Sequence, residues 1–239
     1  MANLTQLRML EGLNGFLLVD KPAGIAFSTV VKTVKRKFNL VKVGHGGSLD
    51  AAASGLFILL INDANKYTAE VMGADRAYTG TMRLGMKTST CDIHGEKTGG
   101  GDFTAVTEAD VAKAFAGCRG DIFQTEPRFC SVRREGSAGY DIADTGEHSQ
   151  FMAHVYRFQP TAVNPPSVGF EVFGTKGLLV RSLVDDVGEA LGCGAALESL
   201  RRVRVGKFKV EDAVSFEKLL ETELKEFPSC VMPLGAALL

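Results

Sequence analysis

Tryptophan is absent from this 239-residue chain, proline occurs only seven times, and none of the five cysteines belongs to a C-x-x-C pair. Without paired spacing, a disulfide framework or a zinc ribbon is excluded. Cys91, Cys118, Cys130, Cys193 and Cys230 are expected to be reduced thiols that pack as small hydrophobes. An excess of one charge is also missing, since 27 Lys and Arg face 28 Asp and Glu. That balance argues against a wholly basic nucleic-acid protein, while leaving local patches open. Long apolar runs are missing too. The longest, Leu56 to Ile61, falls far short of the roughly 20 residues that span a bilayer. The first ten residues carry no apolar stretch of the signal-peptide kind. The expectation is a cytoplasmic protein with no membrane segment. What is present is core material: 15 Phe and 45% hydrophobic residues rule out disorder. A chain of this length fits one large domain.

Residues 15–19 (GFLLV) read as a strand ended by the turn signal Asp20-Lys21-Pro22-Ala23-Gly24. Ser28 is the expected cap of a helix through Phe38. Residues 44–55 read as a Gly-rich loop, and Leu56–Ile61 as a strand or a short helix, which periodicity does not separate. Asp63 is expected to cap a helix through about Met72, and residues 77–84 to form a strand. Residues 97–102 read as a turn, and Thr107 with Asp110 as a capping box for a helix through Phe115. Residues 125–150 are polar and irregular, as functional insertions often are. Strands are expected at 154–158, 168–173 and 203–209, helices at 182–191 and after Ser215. Without strict β-α-β alternation, the fold class is α+β, a mixed sheet.

The most unusual stretch is Gly44-His45-Gly46-Gly47-Ser48-Leu49-Asp50. It lacks the Gly-Lys-Ser/Thr of a P-loop and the glycine spacing of a dinucleotide fold. One His with one Asp is weak grounds for a metal site. Residue types alone favour a tight turn in which Asp50 caps the segment after it.

Residues 44–55 (GHGGSLDAAASG) resemble the GHTGTLDPxAxG motif of the TruB family of tRNA pseudouridine synthases. Gly15–Gly24 resembles that family's G-x-L-x-x-D-K-P-x-G opening, and Arg76-Ala77-Tyr78 with Arg83-Leu84-Gly85 its K-x-Y strand. Thr88–Gly95 resembles its T-x-T-x-D-x-x-G turn. Gly120–Gln124 with Pro127 resembles G-x-I-x-Q-x-P, and Gly136 with Tyr140 resembles G-x-x-x-Y. Gly177 with Arg181, and the residues through Arg202, resemble its arginine motif and the helix after it. The similarity runs from about residue 14 to 236. It implies a pseudouridine synthase fold, with a mixed, mostly antiparallel sheet flanked by helices and loops. One catalytic domain would fill residues 1–239: a core at about 14–210, an RNA-clamping insertion at about 125–150, and a helical tail at 211–239. It also implies isomerisation of uridine to pseudouridine at position 55 in the T-loop of tRNA, without cofactor or metal, by a monomer.

The resemblance assigns roles residue by residue. Asp50 would be the carboxylate beside the sugar, as nucleophile or as base. Arg181 would pair with it and keep it ionised. Tyr78 would stack on the uracil. His45 would fill the gap left by the flipped nucleotide, which must leave its stack to be reached. Lys21 and Asp92 fall near the substrate, with a solvated lysine and a turn-capping aspartate as the ordinary alternatives. Leu179 would line the pocket. Arg133 and Arg134 would contact phosphates from the insertion, and Arg202 would belong to an RNA-facing surface.

Several positions depart from the family pattern. Gly46 replaces Thr and Ala51 replaces Pro, which should loosen the loop. Phe129 replaces Tyr, Asp144 stands where Arg is usual, and Leu179 replaces the Tyr of G-T-Y-x-R. The chain ends where many relatives continue into a PUA domain, so that domain is expected to be absent. Two alternatives remain: a catalytically weak protein that binds tRNA and helps it fold, or a pseudouridine synthase acting on another RNA. The charges favour an RNA partner. Residues 28–45 hold five cations and no acid, as do residues 200–209, so 28 residues carry +10 of a net charge of -1. Two such runs near the proposed site point to an RNA-facing surface.

Overall fold

Two early apolar runs become neighbouring strands. The first elements are β1 (Gly15–Lys21), α1 (Phe27–Lys37), β2 (Val43–His45) and β3 (Ser54–Ile61). β1 and β3 pair antiparallel over their length, from Gly15 opposite Ile61 to Lys21 opposite Gly55. Six of seven residues in β1 and seven of eight in β3 are buried. With both faces covered, no polar residue alternates with the apolar ones, so residues 56–61 carry no period-2 signal. The structure is a computed structural model and describes residues 12–125, 131–132, 141–142 and 150–237.

The chain divides into two compact units: residues 1–76 with 201–239, and residues 77–200. In the first unit, α1 buries Phe27, Val30 and Val34 and places Lys35, Arg36 and Lys37 in its last turn, where cations suit the helix dipole. Its N-cap is Ala26, with no side-chain bond. Ser28 therefore lies inside the helix and is not its cap. After β3 comes a 3-10 turn (Asn62–Tyr67) and then α2 (Thr68–Gly73). This broken segment replaces the single Asp63-capped helix expected, and Asp63 sits within the first turn. The chain re-enters this unit at Arg201. There Arg201 and Arg202 pair parallel with Ser54 and Gly55 of β3. The core gathers Phe16, Leu18, Leu56, Ile58, Leu60 and Val71 with Phe208 and Val210.

The second unit begins in β4 (Arg76–Leu84) and continues through β5 (Lys87–Thr88), β6 (Lys97–Gly99), α3 (Glu108–Gly117) and β7 (Gly120–Thr125). β5 and β6 pair, so part of the turn expected at 97–102 is a strand. The box at Thr107 and Asp110 forms as read, each side chain meeting the other's backbone N–H. Then come the paired β8 (Ser131–Val132) and β9 (Asp141–Ile142), β10 (Gln150–Asn164), β11 (Ser167–Gly174), α4 (Val180–Ala190) and β12 (Ala195–Val205). Within the unit the strand order is β12-β4-β11-β10-β7. The strand expected at 203–209 starts eight residues earlier, at Ala195. In the core, Phe115 of α3 packs tilted against Phe158, which meets Phe170 edge to face.

The tail, in the first unit, supplies β13 (Phe208–Lys209), β14 (Val214–Ser215), α5 (Phe216–Glu221) and β15 (Val231–Pro233). Ser215 caps α5 by accepting from the Lys218 N–H, as expected. β14 and β15 flank β1, parallel and antiparallel respectively. The architecture is α+β, a mixed sheet that is mostly antiparallel.

Candidate active site

In the first unit the chemistry centres on the loop carrying Asp50. Pro22 ends β1, since it cannot donate to a ladder. Gly24 turns the chain back at φ +84°, a conformation glycine adopts without strain. The Gly24 N–H then bonds the Ala51 carbonyl at 2.7 Å. Lys21, at the end of β1, is wholly buried. Its ammonium donates to the carbonyls of Pro22 (2.8 Å), Ile25 (2.9 Å) and Ala51 (3.3 Å). Burial pulls its pKa down to about 8; Asp50 opposes that shift and the Arg202 charge adds to it. Lys21, read from sequence as near the substrate or else as a solvated lysine, is therefore a buried clamp on the loop.

His45 ends β2 and packs against Phe27 (5.2 Å between ring centres) and Phe57 (5.9 Å), which also meet each other at 5.8 Å. Its Nδ1 accepts from the Gly47 N–H at 3.3 Å, which leaves the other ring nitrogen to carry the proton in the neutral form. Gly46 is buried and donates to the Ile58 carbonyl at 2.9 Å. A Cβ on Gly46 would come within 2.3 Å of the Val71 Cγ1. The space of the family's threonine is already filled by α2, so Gly46 does not leave the loop loose. Asp50 is half-buried, and its carbonyl accepts from the Ala53 N–H at 3.1 Å. Arg202 was expected on a surface, yet it is only 2% exposed. It donates from Nε to the Leu56 carbonyl and from Nη1 to the Ser48 carbonyl, each at 2.8 Å. Its neighbour Arg201 forms a bidentate pair with Asp20 at 2.9 and 2.7 Å.

In the second unit a turn presents Asp92. Its Oδ1 accepts from Thr90 Oγ1 (2.8 Å) and the His94 N–H (2.9 Å), and its Oδ2 lies 3.6 Å from Arg181 Nη1. The same Nη1 donates to the Thr90 carbonyl at 3.2 Å. The turn is pinned to β12, where the Ile93 N–H donates to the Leu197 carbonyl (3.0 Å) and the Leu197 N–H donates to the Cys91 carbonyl (2.9 Å). Asp92 thus caps its turn and also pairs with Arg181, at the start of α4. Leu179 precedes that helix, and its backbone N–H and carbonyl are bracketed by the side-chain amide of Gln124 at 3.0 and 2.9 Å. Tyr78, on β4, is 7% exposed and packs in the unit's core.

The structure thus gathers Lys21, His45, Asp50 and Arg202 in one unit, and Asp92 and Arg181 in the other. Arg133 and Arg134, with Phe129, Gly136, Tyr140 and Asp144, lie outside the described residues. Two contributors carried no role in the sequence reading. Gln124 stood in the G-x-I-x-Q-x-P match, a buried amide that needed partners. Arg76, 8% exposed, donates to the Ala74 and Met72 carbonyls and ties off α2 beside Gly47. Among the described residues no three His, Cys, Asp or Glu side chains form a metal-holding group. No helix there is long and apolar enough to cross a membrane.

Comparison with known proteins agrees with these motifs. Residues 35–180 match the N-terminal domain of TruB family pseudouridylate synthases, and residues 181–239 match a tRNA pseudouridylate synthase B C-terminal domain. The chain is 36% identical over 228 residues to tRNA pseudouridine synthase B of Opitutus terrae, covering 94% of this chain and 95% of that one. It is 36% identical over 231 residues to the Burkholderia pseudomallei enzyme of the same name, covering 95% and 76%. Among solved structures, a chain of a Cbf5-Nop10-Gar1 complex superposes with a TM-score of 0.71 at 25% identity. That match covers 97% of this chain, which spans 63% of the length of the solved one. The chain belongs to the TruB family of pseudouridylate synthases.

Proposed function

We propose that this chain isomerises uridine to pseudouridine in the T-loop of tRNA, at position 55, working as a cytoplasmic monomer. The observation that carries the reading is the Asp50 loop, a carboxylate on small residues with its backbone gripped from below by two buried cations. Such a grip suits a group that must meet a sugar carbon at fixed geometry. Relatives named tRNA pseudouridine synthase B, 36% identical across nearly the whole chain, supply the substrate class.

In the reaction the bond from C1' to N1 breaks, the uracil turns, and a bond from C1' to C5 forms. The proton on C5 is lost and N1 gains one, so no redox partner is needed. Ionised Asp50 acts at the sugar, as nucleophile on C1' or as base towards the 2'-hydrogen. Tyr78 stacks on the detached base, and Arg181, oriented by Asp92, supplies positive charge for a carboxylate. Leu179 offers an apolar side chain to the base, its backbone held by Gln124. His45 offers a flat face to RNA, supported behind by two phenylalanine rings.

Tritium release from T-arm RNA labelled at C5 tests this. The chain should release tritium. Asp50→Asn should abolish release while its circular dichroism and melting temperature stay those of the parent. Release by Asp50→Asn at the parental rate would overturn the assignment of Asp50, and no release by the parent chain would overturn the reaction itself.

A further inference from the structure

The arginine next to the loop has a task other than holding RNA. β12 runs parallel to β3 with Arg202 opposite Gly55. A Cβ at Gly55 would lie 2.3 Å from the Arg202 carbonyl oxygen and 2.8 Å from its nitrogen. Gly55 also has φ +100°, which other residues rarely adopt. The glycine therefore lets β12 press against bare backbone at the end of the Asp50 loop. From there the guanidinium reaches two carbonyls, Leu56 on the strand and Ser48 on the far side of the loop, both at 2.8 Å. One planar fork bridges the two ends of the segment that carries Asp50. Lys21 grips the carbonyl that comes after Asp50, and Arg202 grips one that precedes it.

We propose that Arg202 is a positioning residue for the reaction, closing the base of the Asp50 loop through its backbone and making no contact with the RNA. The proposal rests on Asp50 being the reacting carboxylate. Arg202 reaches its two carbonyls from two nitrogens, Nε and Nη1, held in one rigid plane, whereas a lysine offers a single nitrogen. Without the charged donor, the buried Leu56 carbonyl and the part-buried Ser48 carbonyl lose their shared tie, and a loop free to shift loses reactive geometry. A misplacement of about 1 Å costs on the order of 100-fold in rate.

The experiment compares the parent chain with Arg202→Lys, Arg202→Gln and Asp50→Asn, with tritium release from T-arm RNA as readout. Both Arg202 variants should lose about 100-fold in kcat, with KM and the salt dependence of RNA binding unchanged. Native-state hydrogen exchange should speed up at the Ala53 and Gly24 amides, which bond the loop carbonyls of Asp50 and Ala51. Amides of β3 should stay protected. Arg202→Lys keeps the buried charge, so it serves if Arg202→Gln does not fold. A raised KM with a flatter salt slope would make Arg202 an RNA contact and overturn the proposal. So would parental kcat in Arg202→Lys, or a loss of protection spread evenly over the core. If Asp50→Asn stays active the underlying assignment fails; if it is dead and Arg202→Lys is parental, only the role of Arg202 fails.

Discussion

Gly46 illustrates how a single residue is misjudged without its neighbour. Compared with a family motif, a glycine in place of threonine implies slack. In the fold, Val71 on α2 occupies the position a threonine side chain would take, with its Cγ1 2.3 Å from the would-be Cβ. Gly46→Thr should therefore destabilise the chain by about 1–3 kcal/mol through overpacking. Chemical denaturation of Gly46→Thr, Val71→Ala and the double variant would measure it, and the double variant should recover part of the loss. Additive losses would mean that Val71 is not the neighbour that matters. The residue's identity was legible in the sequence; the compensating neighbour is Val71, beyond the reach of any local pattern. Lys21 and Arg202 were misjudged for a related reason. A cation in a motif reads as ligand-facing, whereas burial commits these two to carbonyls.

At the level of elements, local chemistry was most legible where the partners are adjacent in sequence. The capping box at Thr107 and the cap at Ser215 each join a side chain to a backbone one helical turn away, and both form. Ser28 fails because the chain turns into α1 sooner, at Ala26. β12 was foreshortened because its first residues, Ala195-Ala196-Leu197, carry little strand propensity and owe their conformation to pairing. The turn between β1 and α1 has a consequence for pH. The lowered pKa of Lys21, about 8 against an ordinary 10.5, means that the folded chain releases this proton before the unfolded one does. Between those values the unfolded chain binds more protons, so this site's contribution to stability rises with pH and is lost as pH falls through about 8. Activity should move oppositely, because each proton lost removes a donor from the carbonyls holding the loop. A kcat profile should thus fall through about pH 8 while melting temperatures over that range do not track it. Lys21→Arg should shift the alkaline limb upward, since a guanidinium stays charged; an unmoved limb would clear Lys21.

Across the whole molecule, the structure redistributes the two cationic runs. Arg201 is neutralised by Asp20, Arg202 is buried and Arg204 is half-buried, so the second run keeps Lys207 and Lys209 as exposed charges. The first run, on α1 and just after it, leaves Lys32, Lys35, Arg36, Lys37 and Lys42 exposed, Lys37 donating to the Leu220 carbonyl. RNA attraction should therefore come chiefly from α1. Lys35→Gln with Arg36→Gln should weaken tRNA binding and lower the slope of log affinity against log salt by about one for each phosphate no longer neutralised. Arg201→Gln should leave that slope alone. Filter binding at several salt concentrations checks both, and equal slopes in all variants would remove α1 from the interface.

The grip on the loop acts on main-chain oxygens, which every amino acid possesses. Side chains such as Ala51 and Ala52 can therefore drift without undoing the scaffold, provided they stay small. The carboxylate's placement is insulated from the identity of the residues around it. A lineage could exchange Pro for Ala at residue 51 and still pass on the same geometry.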